Sequence, residues 1–490
     1  MGIGFSFHAI FLCWVLGLHP LTWVGLSNTQ SMAVAVSAWL LWAALGALLW
    51  LIIGETFYVL HQLIFSKNQH NSLHKPNQTS KLLGFSLLCG LVWVLIQQGY
   101  PSVMNWYVPW ADLSLSQTQT ALFKPFFQHL PPGSVTALIV SINIIAALWS
   151  TETTHLTKQT QQEETKTYSS KKLRTKHLQA ATITAFLLVG FNTLFTHYQA
   201  PQTTSPVTPF TFQVWQGNLP IKTIRNKKSK AKDTTAYLST LKQLSPLPQS
   251  NATLFFPEEG IIFGPIDWNH PKHHPQFAPL KQHLNNIAPQ GDFIFGLTTF
   301  NSFSQPIRYY NSLLHLTADS THFYHKQHLV PFGETVPSGL PIFPEAMWVT
   351  LMKWMNIPYI PSLSSGGENT PFHLGNGHTV GPLICFEITQ HHLAQRYKYK
   401  QVSALFNSAN LGWFHHHPVL TQQYLNIAQQ RAIETHLPVI MSSNSGPSAI
   451  IDADGSIRAS LSANQSGILQ HQMTTNEKSS KINTLPWPVK

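Results

Sequence analysis

Most of the uninterrupted apolar sequence lies before residue 200, and this apolar region limits the possible folds more than any motif does. Five segments, about 5–26, 33–60, 82–100, 134–150 and 179–197, have the length and apolarity of membrane helices, for which a hydrocarbon core requires about 20 residues. Inside lipid a backbone must satisfy its own hydrogen bonds, so such segments are expected to be helical. The second is long enough to tilt or to hold a re-entrant turn, and His19 and Pro20 interrupt the first, so five is a minimum count. The first segment has no basic leader and no small-residue cleavage site, and reads as an anchor instead of a signal peptide.

Basic loops set the orientation. Lys67, Lys75 and Lys81 follow the second segment, and Lys158, Lys166, Lys171, Lys172, Arg174 and Lys176 follow the fourth, while the other loops offer Lys124 alone. The excess places the N-terminus and both basic loops in the cytoplasm, and five crossings deliver everything beyond residue 200 to the far side. In a bacterium with two membranes the expected location is the inner membrane, multi-pass, with the later domain in the periplasm. The net charge of +11 is therefore read as a topology signal and not as a nucleic-acid face. The lysines at 227, 228, 230 and 232 read as a solvated loop, with attraction to anionic headgroups as the lesser option. Of three cysteines, Cys13 and Cys89 lie in apolar runs, which leaves no disulfide framework. The consecutive His415, His416 and His417 cannot all face one metal from a regular element and no HExxH spacing occurs, so no metal or cofactor is expected. A monomer is expected.

Beyond a Pro- and Thr-rich connector at 200–210 the pattern changes. Short apolar runs (FQVW, TLFF, DFIFGL, YYNSLLHL, VGPLICF, VSALFNSA, PVIMSS, SAIID) alternate with helical stretches at Thr234 to Gln243, Thr389 to Tyr399 and Pro418 to Thr435. This predicts an α/β domain over 211–460, after a membrane region at 1–200 and before a polar tail at 461–490. An insert at 337–361 holds Phe343, Met347, Trp348 and Trp354, with an amphipathic helix predicted over Glu345 to Asn356. It reads either as a core helix or as a lipid-facing arm, where Trp is favoured at the interface and Met packs adaptably.

Three separate stretches carry residues of chemical interest. In GPLICFE an apolar strand ends at Cys385, the only cysteine outside the apolar region and a candidate nucleophile. In LFFPEEG a carboxylate follows a strand. Glu258, partly desolvated at a sheet rim, suits proton abstraction from a thiol, with Glu259 as competitor. In YHKQHLVPFGE, Lys326 is suited to hold an oxyanion beside the backbone N–H of Phe386, and a Gly turn folds Glu334 back toward it. Each of these residues alone is more often a solvated surface group, and only the combination carries weight.

In this order the stretches resemble the carbon-nitrogen hydrolase (nitrilase) superfamily over about 211–460. HLVPFGE, QGN at Gln216 to Asn218, RAIET at Arg431 to Thr435 and SNSG at Ser443 to Gly446 look like its apolipoprotein N-acyltransferase branch, which also has a multi-helix membrane region. The resemblance implies a multi-pass α-helical membrane region plus an α/β nitrilase-like α-β-β-α sandwich. It also implies Glu258 as general base, Lys326 as oxyanion stabiliser, Cys385 as nucleophile, and Glu334 and Glu387 as supporting carboxylates. The chemistry implied is a ping-pong transfer. A phospholipid acyl donor gives its chain to Cys385 as a thioester, and the α-amino group of a diacylglyceryl-cysteine on an apolipoprotein accepts it. Two positions depart from the branch pattern. The expected Asp of Asn-Asp-Trp-Phe is replaced in NLGWF by Leu411, and the Trp expected after QGN is absent, with Arg225 nearby. A membrane-tethered hydrolase or amidase, and a catalytically silent lipid-binding relative, are the competing classes.

Overall fold

The computed structural model describes residues 1–22, 25–65, 78–104, 109–131, 133–159, 210–218, 253–256, 265–275, 277–336, 345–354, 362–368, 370–473 and 483–486. The chain forms two compact units, one of Met1–Leu12 with Leu40–Gln202, the other of Cys13–Trp39 with Thr203–Lys490.

The described part of the first unit is helical. Its described elements are α1 (Gly2–Phe11), the later part of α2 (Asn28–Phe65), α3 (Gln78–Met104), α4 (Lys124–His129) and α5 (Ser134–Gln159). Small residues let these helices approach closely. A Cβ on Gly90 of α3 would meet the Ala137 carbonyl of α5 at 2.3 Å, and one on Gly46 of α2 would meet the His8 ring of α1. Among the described residues two helices, Asn28–Phe65 and Ser80–Gly99, are long and apolar enough to cross a membrane by length and composition. They leave Leu48, Ile52, Val59, Leu91 and Leu95 exposed. The expected segment at 5–26 is not one helix, because α1 stops at Phe11 and Cys13–Leu18 forms a 3₁₀ turn ahead of His19 and Pro20. The segment at 179–197 and the helix expected at Thr234 to Gln243 lie outside the described residues.

The second unit contains two sheets among its described residues. Their strands are β1 (Phe210–Gln216), β2 (Thr253–Phe255), β3 (Ile266–Asp267), β4 (Asp292–Asn301), β5 (Arg308–Leu316), β6 (Thr321–His325), β7 (Phe372–His373), β8 (Thr379–Ile384), β9 (Ala404–Ala409), β10 (Val439–Ser443), β11 (Ser448–Ile451), β12 (Ile457–Leu461), β13 (Gly467–Met473) and β14 (Asn483–Pro486). The larger sheet runs β14-β13-β1-β2-β4-β5-β6, with β3 paired to β4, and the smaller runs β12-β11-β10-β9-β8-β7. Parallel pairing joins β1, β2 and β4 in one sheet and β8, β9 and β10 in the other, so the mixed sheets each have a set of carboxyl ends where loops carry function.

Side-chain alternation along these strands makes the layers. Phe212, Val214, Phe255, Ile294 and Leu313 of the larger sheet pack on Val380, Ile384, Phe406, Ile440 and Ile450 of the smaller. Their neighbours Trp215, Leu254, Phe256, Phe293 and Leu314 point the other way, onto Phe277, Leu280 and Leu284 of α6 (Phe277–Ile287). Each such apolar side chain contributes about 1.5–3 kcal/mol on burial. On the far face of the smaller sheet lie α8 (His391–Tyr399) and α9 (Pro418–Thr435), whose buried residues include Leu393, Tyr397, Leu420 and Tyr424. The arrangement is the α-β-β-α sandwich. The insert helix α7 (Glu345–Trp354) forms within the predicted range.

Two further expectations are corrected. Residues 461–490 are not simply a tail, because β13 pairs along its whole length with β1 and places Ile468 and Leu469 in the two separate cores. The polar residues Gln470, His471 and Gln472 around so few apolar ones hid the strand in the sequence. The run VGPLICF is also shorter as a strand than it reads, since β8 ends at Ile384.

Packing of α8 on β8 depends on a missing side chain. A Cβ on Gly381 would lie 2.5 Å from the Tyr397 ring, which is wholly buried and donates from its hydroxyl to the Pro382 carbonyl at 2.8 Å. Gly381→Ala is therefore expected to destabilise the unit by about 1–3 kcal/mol through overpacking. A drop in the thermal midpoint that Tyr397→Leu partly restores is the expected reading.

Candidate active site

Cys385 follows the last residue of β8 with φ +48°, the left-handed region that a side chain disfavours. Such a conformation costs on the order of 1–3 kcal/mol and persists only where surroundings hold it. The surroundings here are specific. The Cys385 carbonyl accepts from the Tyr424 hydroxyl of α9 at 3.1 Å and from Asn407 Nδ2 of β9 at 3.3 Å. The single Tyr424 proton is shared between this carbonyl and Asn407 Oδ1, which also lies within hydrogen-bond distance, so the three groups form one clamp. Directly ahead, the Ile384 N–H donates to Glu387 Oε2 at 2.8 Å, closing the 3₁₀ turn Cys385–Thr389 on itself. Cys385 itself is half-buried.

Glu387 joins this elbow to the end of β6. Its Oε1 accepts from the backbone N–H groups of Gln327 at 2.6 Å and His328 at 3.2 Å, and its Oε2 accepts from the Tyr324 hydroxyl at 2.9 Å. The residue is fully buried. That burial pushes its carboxyl up to about 7, against the Ile384 N–H, the Lys326 charge and the other donors, all of which favour the ionised form.

Lys326, next to Gln327 in the chain, is likewise fully buried, with its ammonium 2.9 Å from each carboxylate oxygen of Glu334. Glu334 folds back through the Pro331–Thr335 turn and also accepts from Asn311 Nδ2 and from the Val330 N–H, both at 2.8 Å. A buried ammonium held in this way is poised to interact with an oxygen that gains negative charge nearby, in surroundings where water does not screen it.

Of the residues singled out from the sequence, the structure thus draws Lys326, Glu334, Glu387 and the Cys385 elbow into one network. Phe386 is half-buried, and its carbonyl accepts from Thr389 at 2.7 Å. Glu258 and Phe343 lie outside the described residues. On α7, Trp348 meets Phe332 edge to face at 5.0 Å, Met347 is exposed, and Trp354 is 81% exposed. Leu411 is buried against Gly446 in the space beyond β9. Four members of the site, Asn311, Tyr324, Asn407 and Tyr424, were missed. Asn407 and Asn311 carried a signal, since an amide within an apolar run such as ALFNSA or YYNSLLHL requires partners.

The raised carboxyl of Glu387 has a consequence for stability. A folded-state value near 7, above an unfolded value near 4.5, means that the folded protein holds the extra proton between them. This contribution is fully present below about pH 4.5 and is lost as pH rises through 7, a swing on the order of 3 kcal/mol. Wild-type thermal midpoints are expected to fall between pH 5 and 8 by more than those of Glu387→Gln. Parallel profiles would show Glu387 to be ionised throughout.

Residues 218–480 match the carbon-nitrogen hydrolase family. Relatives named apolipoprotein N-acyltransferase include one from Vibrio vulnificus, 30% identical over 37% of this chain and 36% of its own. Another, from Nitrosomonas europaea, is 28% identical over 56% of this chain and 50% of its own, and a third, from Geobacter metallireducens, is 25% identical over 82% and 71%. The chain thus matches about a third to a half of the length of the first two. A CN-hydrolase superfamily structure from Xanthomonas campestris, 15% identical, aligns with a TM-score of 0.40 over 55% of this chain and 91% of that one.

Proposed function

This chain belongs to the carbon-nitrogen hydrolase family, and from that premise we propose that it is an acyltransferase of the apolipoprotein N-acyltransferase kind. In this reading it moves an acyl chain from a phospholipid, through a thioester on Cys385, to the α-amino group of the N-terminal diacylglyceryl-cysteine of a lipoprotein. The observation that carries the reading is the Glu387 carboxylate, which bonds both to the backbone just after Lys326 and to the N–H just before Cys385. Cation and thiol are thereby tied to one buried group.

The steps use the chain's own residues. Glu258 takes the thiol proton, and the thiolate sulfur adds to the ester carbonyl of the phospholipid. The resulting oxyanion faces the Lys326 ammonium and the Phe386 N–H, where loss of one such donor typically costs 10²–10³ in rate. Collapse breaks the bond to the glycerol oxygen, which leaves with the proton from Glu258 as lysophospholipid. The lipoprotein amine then attacks the thioester, its proton passes to Glu258, the C–S bond breaks, and an amide and free thiol remain. An amine captures a thioester readily and the amide does not easily return, so the direction is set chemically.

Water has to be kept from the acyl-enzyme. The exposed Met347 and Trp354 of α7 suit an apolar lid over the site. A multi-pass anchorage in the bacterial inner membrane, with the sandwich on the periplasmic side and the protein acting as a monomer, completes the reading. The exposed leucines of α2 and α3 support it, because so much apolar surface calls for a lipid or protein cover. The test is incubation of the purified chain with phospholipid labelled in its acyl groups. Label trapped on Cys385 and passed to a diacylated lipopeptide is the expected result. Free fatty acid alone identifies a hydrolase, and no label on the protein overturns both.

A further inference from the structure

The unit that holds the candidate site includes Cys13–Trp39 from the N-terminal region. Within that stretch the 3₁₀ turn Cys13–Leu18 lies against α9 and against the turn Leu411–Phe414. Trp14 is buried. Its Nε1 donates to Gln423 Oε1 of α9 at 3.1 Å, and its ring meets Phe414 edge to face at 5.0 Å. His415 Nδ1 donates to the Gly17 carbonyl at 2.7 Å. A Cβ on Gly17 would stand 2.6 Å from the Phe414 carbonyl oxygen, a backbone atom with little room to yield, so the approach requires glycine. The receiving turn is itself held in an unusual shape, with His415 and His416 at φ +47° and +59°.

The partner of Trp14 is one residue away from the clamp on the nucleophile. Gln423 holds Trp14, and Tyr424, the next residue of the same helix, holds the Cys385 carbonyl and Asn407. Successive residues of a helix point about 100° apart, so the two grips engage different sides of one stiff rod. Neither can shift along or around α9 without moving the other.

We propose that Trp14 and Gly17 are positioning residues for the nucleophile: the seated 13–18 segment fixes the rotation and axial position of α9, and through Tyr424 the position of the Cys385 elbow. This rests on the reading of Cys385 as nucleophile and adds that an N-terminal segment far away in sequence governs the presentation of its thiol. Without that seat, α9 is free to rock, the Tyr424 hydroxyl leaves the elbow carbonyl, and the left-handed turn relaxes.

The test uses the full chain in detergent and reads alkylation of Cys385 by iodoacetamide, followed at its own peptide by mass spectrometry, together with the thermal midpoint. Trp14→Ala, Gln423→Leu and Tyr424→Phe are each expected to change the alkylation rate about fivefold to tenfold, the range for one lost bond to the elbow. The Trp14→Ala/Tyr424→Phe double variant is expected to differ little from the stronger single one, because both act through α9. Gln423→Leu, close in size to the native side chain, keeps the test open should Trp14→Ala fail to fold. Multiplicative effects in the double variant, or a lowered midpoint with alkylation unchanged in Trp14→Ala and Gln423→Leu, overturn the proposal. The readout needs no lipid. A wild-type protein that forms no thioester, yet shows the coupled alkylation, sinks the acyl-transfer reading and leaves this inference standing.

Discussion

Cys385→Ala is expected to abolish acyl transfer, with a loss of about 10⁴-fold or more, the scale seen when a covalent nucleophile is removed. No thioester should form on phospholipid, and lipopeptide should stay diacylated by mass spectrometry. Cys385→Ser keeps a nucleophilic atom whose proton is much harder to remove at neutral pH, so a trace of oxyester without useful turnover is expected. Stability should move in the opposite direction for one variant. The position sits at φ +48°, so Cys385→Gly removes a side-chain penalty on the order of 1–2 kcal/mol and should melt above Cys385→Ala. Activity lost while stability rises would mean that the strain is retained for chemistry. Retained thioester formation in Cys385→Ala would refute the assignment outright.

The second large effect concerns the buried ion pair. Lys326→Met removes the only charge facing the Glu334 carboxylate at 2.9 Å among the described residues, and leaves Asn311 and the Val330 N–H as its donors. An uncompensated buried charge typically costs 3–5 kcal/mol, so a marked fall in the thermal midpoint is expected. The rate of thioester formation should fall by about 10²–10³ as the oxyanion loses its cation. Replacing both partners, Lys326→Met with Glu334→Leu, separates the two roles. Stability should return toward wild type because no lone charge remains, while the rate should not. A double variant that regains activity would mean that Lys326 serves only to neutralise Glu334.

Much of the sandwich could be read in advance. FQVW, DFIFGL, YYNSLLHL, VSALFNSA and PVIMSS became β1, β4, β5, β9 and β10 because strands buried on both faces are nearly continuous apolar runs. The strand β6, THFYH, escaped because four of its five residues have polar atoms, and its place is decided by pairing with β5 and by Tyr324 reaching Glu387. The strand β13 escaped for the same reason.

At the site, Lys326 and Glu334 are eight residues apart around a Gly turn, so their meeting was legible locally. The carboxylate that organises the network is Glu387, and its donors come from β6, from the end of β8 and from the stretch after Lys326. No local pattern encodes that convergence. Asn407 and Tyr424 converge on the Cys385 carbonyl from another strand and another helix.

Sequence alone determined most of the element types, the chemical groups on offer and the place of Cys385 at the end of an apolar run, because these depend on side-chain periodicity and on neighbours a few residues away. Tertiary structure alone decided which carboxylate clamps the elbow, that Cys385 takes a left-handed turn, and that Trp14 sits beside the helix that holds it. Those outcomes are set by how layers far apart in the chain fill space and satisfy one another's buried donors, and no stretch of sequence records this by itself.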